Sequence, residues 1–137
     1  MSSKRISRNQ SQRQVVAVLY DYLTRLTLDE SIDVYELLEN SVATPFEDID
    51  IYIKEVVIKA IKNHHQIVSL LETKMTSWTF ARLNRLAQAI LLLSVSHYRY
   101  VGDVDKKVVI DVAVRLAKLY LDKDEYKYIN ALLDNVL

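Results

Sequence analysis

Three observations predict an all-α fold, a single-domain bundle of six or seven helices. The chain has one glycine and one proline, it has no cysteine, and its apolar residues recur at helical spacing almost throughout. Phosphate-cradling loops, dinucleotide fingerprints and turn-rich β-sandwiches all need several glycines, which Gly102 alone cannot supply. The lack of cysteine removes zinc ribbons, thiol nucleophiles and disulfide frameworks, and it fits a reducing compartment. Half of the 137 residues are hydrophobic and 26% are charged, the balance of a globule and not of a disordered chain. A chain of this size buries roughly 70% of the surface it exposes when unfolded.

The elements follow in order. A first helix is expected to start at Ser7 or Ser11, either of which can cap free backbone N–H groups, and to run to about Thr27. Val15, Val16, Val18, Leu19, Tyr22, Leu23 and Leu26 form its inward face. Ser31 is the expected cap of a short second helix with Val34, Tyr35, Leu37 and Leu38 as its buried side, ended by the stretch from Asn40 to Pro45. One long helix is expected from Asp48 to about Thr73, interrupted mildly by His64 and His65. Thr79 is the expected cap of a nearly all-apolar helix reaching Arg99, the central element of the core. Gly102 and Asp103 mark a turn, Asp105 caps a helix from Lys106 to Leu121, and Asp122 or Asp124 starts the last helix. Residues 1–137 form one domain, with flexibility left open for 1–10.

Net charge is zero, but it is unevenly spread. Residues 1–20 carry Lys4, Arg5, Arg8 and Arg13 and no acid, whereas residues 29–55 carry nine acids against the single cation Lys54. The basic start can attract phosphates; the acidic middle repels them and suits a basic protein. His64 and His65 are neighbours on a helix, about 100° apart, so they cannot share a metal as an i, i+4 pair does. No HExxH or GxSxG pattern occurs, and His97 reads as a helix-terminal side chain. Neither an enzyme nor a cofactor is expected. The first apolar run, Val15 to Leu19, is too short for an export signal, and no stretch approaches the ~20 residues of a membrane span, so the cytoplasm is the expected location.

Nine tyrosines remain, each able to pack in a core or to stack on an unpaired base. Tyr20 follows the basic segment on the first helix, and Tyr126 and Tyr128 lie near Asp124, Lys123 and Lys127. Cations interleaved with aromatics are what single-stranded RNA recognition requires.

The carboxy-terminal half resembles the NusB family of bacterial transcription antitermination factors. Leu86-Ala-Gln-Ala-Ile-Leu-Leu-Leu stands where the family has V-D-x-A-[IV]-L-R-[IL], with Trp78 and Arg82-Leu83 just upstream. Asp103-Val104, Val108-Val109-Ile110, Ala113 and Leu116-Ala117-Lys118 stand for D-V-P, V-x-I-N-E-A and L-A-K. Tyr128-Ile-Asn-Ala-Leu-Leu-Asp134 stands for F-V-N-G-V-L-D, and Val18-Leu19-Tyr20 for A-L-Y. Departures are Ala87 for an Asp, Leu92 for an Arg, Asp105 for a Pro and Ala131 for a Gly.

The resemblance implies an all-helical adaptor without catalysis. It would bind box A-like single-stranded RNA in the nascent transcript together with a NusE-type small-subunit ribosomal protein, within the RNA polymerase antitermination complex and away from membranes. The implied RNA-binding residues are Lys4, Arg5, Arg8, Arg13, Tyr20, Asp124 and Tyr128. Of the family's arginine run only Arg8 remains, because Asn9, Gln10 and Gln12 occupy arginine positions. The alternative expectation is therefore a NusB-like protein-interaction module that has lost sequence-specific RNA binding. No residues are assigned to protein binding or to a metal.

Overall fold

The computed structural model describes residues 6–137, and among them every regular element is helical. The helices are α1 (Arg8–Thr27), α2 (Val34–Val42), α3 (Ile51–Lys62), α4 (His64–Glu72), α5 (Arg85–Val95), α6 (Lys106–Tyr120) and α7 (Lys123–Val136). Short 3₁₀ turns occupy Phe46–Asp48 and Phe80–Arg82, and a π-helical turn occupies Ser96–Val101.

Helix α5 is the axis. Every residue from Ala87 to Val95 is buried, as expected of a helix that is apolar on all sides. It packs most extensively on α1 and also touches α3, α4, α6 and α7. α1 turns Val15, Val16, Val18, Leu19, Tyr22 and Leu23 inward; α6 and α7 pack on each other and bury Val112, Ala113, Leu116, Ile129, Leu132 and Leu133. Each fully buried leucine stabilises the bundle by about 1.5–3 kcal/mol relative to exposure. Ala87 and Leu92 are both buried in the packing of α5.

Helix ends follow from specific side chains. Of the two candidate starts of α1, Ser7 is the cap: its Oγ accepts from Gln10 N at 3.1 Å, and Gln10 Oε1 accepts from Ser7 N at 3.3 Å. α7 repeats the device with Asp122, whose Oδ1 accepts from Glu125 N at 2.9 Å while Glu125 Oε1 accepts from Asp122 N at 3.4 Å. Asp105 flanks α6 without a side-chain cap bond.

Three boundaries differ from the sequence expectation. Asp33, not Ser31, caps α2, accepting from Tyr35 N at 3.0 Å and Glu36 N at 3.3 Å. The expected helix over 48–73 is two helices, because Asn63 (φ −108°, ψ 23°) leaves helical geometry and its Nδ2 donates to the Lys59 carbonyl at 2.8 Å. The expected helix from Thr79 to Arg99 begins instead at Arg85, capped by Asn84, whose Oδ1 accepts from Leu86 N at 2.8 Å. Thr79 opens only the 3₁₀ turn. Past Val95 the backbone widens into the π turn, where Ser96 Oγ donates to the Val56 carbonyl at 2.8 Å, and Gly102 ends it at φ +84°. Among the described residues no helix is long and apolar enough to cross a membrane.

Candidate nucleic-acid interface

The 3₁₀ turn and the first turns of α7 enclose a cleft of about 290 Å³, lined among others by Trp78, Arg82, Asn84, Ala87, Asp124 and Tyr128. Its upper wall is pinned from beneath. Phe80 is buried, its N–H donates to Glu72 Oε2 at 2.8 Å, and its carbonyl accepts from Gln88 Nε2 at 2.7 Å. With Phe80 held this way, Trp78 is left 53% exposed and the Arg82 guanidinium lies 5.7 Å from its ring centre.

The opposite wall is α7. The capping box orients its first turn, so Asp124 is exposed at a helix N-terminus, where the macrodipole favours its charge. Tyr128 is half-buried one turn on, and burial pushes its hydroxyl above the ordinary tyrosine value, so it stays protonated and able to donate. Two aromatic side chains, a guanidinium and the two carboxylates of Asp124 and Glu125 around one half-open slot can hold a planar heterocycle by stacking and by hydrogen bonds to its edge.

Tyr20 of α1 does not line this cleft and meets Arg85 instead. Arg85, which directly follows the cleft residue Asn84, lies 5.5 Å over the Tyr20 ring and donates to Thr24 Oγ1 at 3.2 Å and Thr27 Oγ1 at 3.3 Å. The sequence-derived residues therefore fall into separate groups. Asp124 and Tyr128 share a cleft, and Tyr20 sits on Arg85. Arg8 and Arg13 line two other clefts, Arg8 beside Tyr52 and His97, and Arg13 beside Gln10, Asp48 and Tyr120. Lys4 and Arg5 lie outside the described residues.

Sequence reasoning missed Arg85 altogether and did not assign Trp78 or Arg82 to the site. The available signal was an exposed-type tryptophan with two arginines within seven positions, in a stretch with little helical periodicity.

The histidines have structural partners. His64 Nδ1 lies 2.8 Å from the Tyr22 hydroxyl, and His97 Nδ1 lies 3.3 Å from that of Tyr52. Burial lowers both imidazole pKa values, helped by His65 in one case and Arg8 in the other, so both rings are neutral near pH 7. Burial pushes the Tyr22 hydroxyl up to about 12 and raises that of Tyr52, against which a Gln12 hydrogen bond and the Arg8 and Arg115 charges act. Gln12 is itself buried and accepts from Arg115.

The sequence profile described as the NusB family matches residues 9–137. "Transcription antitermination protein NusB" of Listeria innocua is 26% identical over 132 residues, covering 96% of each chain. The protein of the same name from Finegoldia magna is 29% identical over 133 residues, covering 96% of this chain and 94% of its own. A solved T. maritima NusB structure superposes with TM-score 0.77 at 22% identity, covering 97% of this chain and 92% of that one. A structure described as antitermination factors NusB and NusE in complex with dsRNA gives TM-score 0.77 at 22% identity, covering 94% of both. At that identity the two structures establish the fold.

Proposed function

Because this chain belongs to the NusB family, we propose that it is a transcription antitermination factor, an adaptor that takes up box A-like single-stranded RNA together with a NusE-type ribosomal protein. The observation that carries the reading is the cleft in which Trp78, Arg82, Asp124 and Tyr128 converge. A base enters between the aromatic faces, Arg82 meets a phosphate or a base edge, and Asp124 accepts from an exocyclic amine. Tyr20 and Arg85 extend the track along α1, and Lys4, Arg5, Arg8 and Arg13 add electrostatic attraction. The role is non-catalytic, exercised in the cytoplasm within the RNA polymerase antitermination complex.

Fluorescence anisotropy of a labelled box A-like RNA tests this, with and without the cognate NusE-type protein and at two salt concentrations. Tighter binding in the presence of the partner is the expected result. The basic first segment neutralises at most ~4 phosphates, so it contributes a salt slope no steeper than about −3. Absence of RNA binding under both conditions overturns the reading.

A further inference from the structure

We infer that His64 is a positioning residue of the RNA cleft: its neutral ring holds the Phe80–Arg82 turn in place, and a proton on that ring releases the turn. This role rests on the reading that Trp78 and Arg82 help to take up an RNA base, and it adds how that site is regulated. Trp78 and Arg82 stand two residues before and after Phe80, the one buried residue of the turn. The Phe80 backbone is bonded on both sides, its N–H to Glu72 of α4 and its carbonyl to Gln88 of α5. Its ring meets the His64 ring edge-on, with centroids 6.3 Å apart. Both rings line a second cleft of about 390 Å³, shared with Leu23, Leu26, Arg85 and Gln88. Ala81 lines this cleft, Arg82 the RNA cleft and Leu83 both, so the turn is their common wall.

A proton on His64 finds no counter-charge. The ring is half-buried, which penalises its charged form. From α1 comes the Tyr22 hydroxyl, 2.8 Å from Nδ1 and itself uncharged, since burial pushes it up to about 12. On α4 the neighbouring His65 ring lies 5.5 Å away, and its charge also works against protonation. From α5 come the Arg85 guanidinium and the neutral Gln88, and the turn adds only apolar side chains. Helices α3 and α7 also pack on α4, and neither contributes a described residue to this cleft. The Glu72 carboxylate is taken by the Phe80 N–H, and among the described residues no carboxylate lines the cleft. An imidazolium there faces cations alone, and water is its stable place. When the ring swings out, Phe80 loses its edge contact and the wall that carries Trp78 and Arg82 loosens. RNA binding therefore weakens as pH falls, the reverse of what added positive charge does for phosphate binding.

Anisotropy of a labelled box A-like RNA from pH 7.5 to pH 5 tests this role, read alongside the emission of Trp78, the only tryptophan of the chain. Far-UV circular dichroism checks that the helices persist over the range. Wild type is expected to lose RNA affinity about fivefold or more below pH 6.5, with Trp78 emission changing over the same interval. His64→Phe keeps an aromatic edge against Phe80 and cannot be charged, so both of its profiles are expected to be flat. His64→Lys adds a lasting cation and is nevertheless expected to bind RNA more weakly at pH 7.5 than wild type. His97→Gln changes a half-buried histidine outside both clefts and is expected to keep the wild-type pH profile. Equal profiles in wild type and His64→Phe overturn the role of His64 and leave the RNA reading standing, as does tighter RNA binding by His64→Lys. Wild type that binds no RNA at pH 7.5 overturns the RNA reading and the regulation with it; a Trp78 profile then shared by wild type and His64→Phe overturns the hold of His64 on the turn as well.

Discussion

The Tyr22 hydroxyl of α1 lies 2.8 Å from Nδ1 of His64, the first residue of α4, and the two rings meet edge-on with centroids 5.6 Å apart. The break at Asn63 sets this contact, because it starts a new helix at His64. Burial lowers the His64 pKa from its ordinary value of 6.5, so the unfolded chain binds a proton there more readily than the folded one. Stability from this group is complete above pH 6.5 and is lost as pH falls through the lowered folded value. His97 acts in the same direction. Urea denaturation between pH 7.5 and 5 should show a falling midpoint, and the combined His64→Gln and His97→Gln variant should show a flatter profile. An identical slope in wild type and variant would count against the assignment.

Trp78 and Arg82 form one side of the proposed RNA cleft while making few demands on the core. Trp78→Ala should weaken box A-like RNA by about 1–3 kcal/mol, the usual value of one base–aromatic stack, with little change in melting temperature. Arg82→Glu should act in the same direction. Unchanged RNA affinity in both variants would move the RNA surface elsewhere.

Arg8 has a structural role that its place in a basic segment does not reveal. Its guanidinium rests 3.9 Å from the Tyr52 ring centre, an arrangement worth about 0.5–1 kcal/mol at an exposed site. Arg8→Ala should therefore lower stability by about that amount, whereas Arg13→Ala, exposed on the same helix, should leave it nearly unchanged. Thermal melts of the two variants separate an RNA role from a packing role.

Asp122 links helix capping to the cleft. Asp122→Ala should cost about 1 kcal/mol of stability and fray the turn that presents Asp124 and Tyr128. The measurable consequences are a lower denaturation midpoint and weaker RNA binding.

Leu92 is fully buried on α5. Leu92→Ala should cost about 2–5 kcal/mol, read from equilibrium unfolding, because α5 is surrounded by other helices and the space cannot collapse freely. A loss below about 1 kcal/mol would show that the site relaxes.

Most of the helical content was legible in the residues themselves. The stripe from Val15 to Leu23, the wholly apolar run from Ala89 to Leu93 and the turn at Gly102 are local patterns, set by the 3.6-residue period and by the one residue that adopts φ +84° without strain. The caps were narrowed to Ser7 or Ser11 and to Asp122 or Asp124, and the bonds accepted from Gln10 N and Glu125 N select Ser7 and Asp122. Asn63 was less so: an asparagine inside a helix can point to solvent or bond back to the fourth carbonyl before it, and packing chose the second.

The sequence by itself determined an all-α chain, the uneven spread of its charge, the family it belongs to and most of its inward faces, but Leu26 and Tyr35, expected to be buried, are 44% and 61% exposed. Tertiary structure alone decided which polar residues meet. Arg8 joined Tyr52, Arg85 joined Tyr20, and Trp78 and Arg82 came to face Tyr128 across one cleft. These pairs lie on separate helices and turns, tens of residues apart along the chain. No local period relates them; the angles at which α1, α6 and α7 pack on the buried α5 do, because each helix must cover its own apolar stripe before its polar side can face a neighbour.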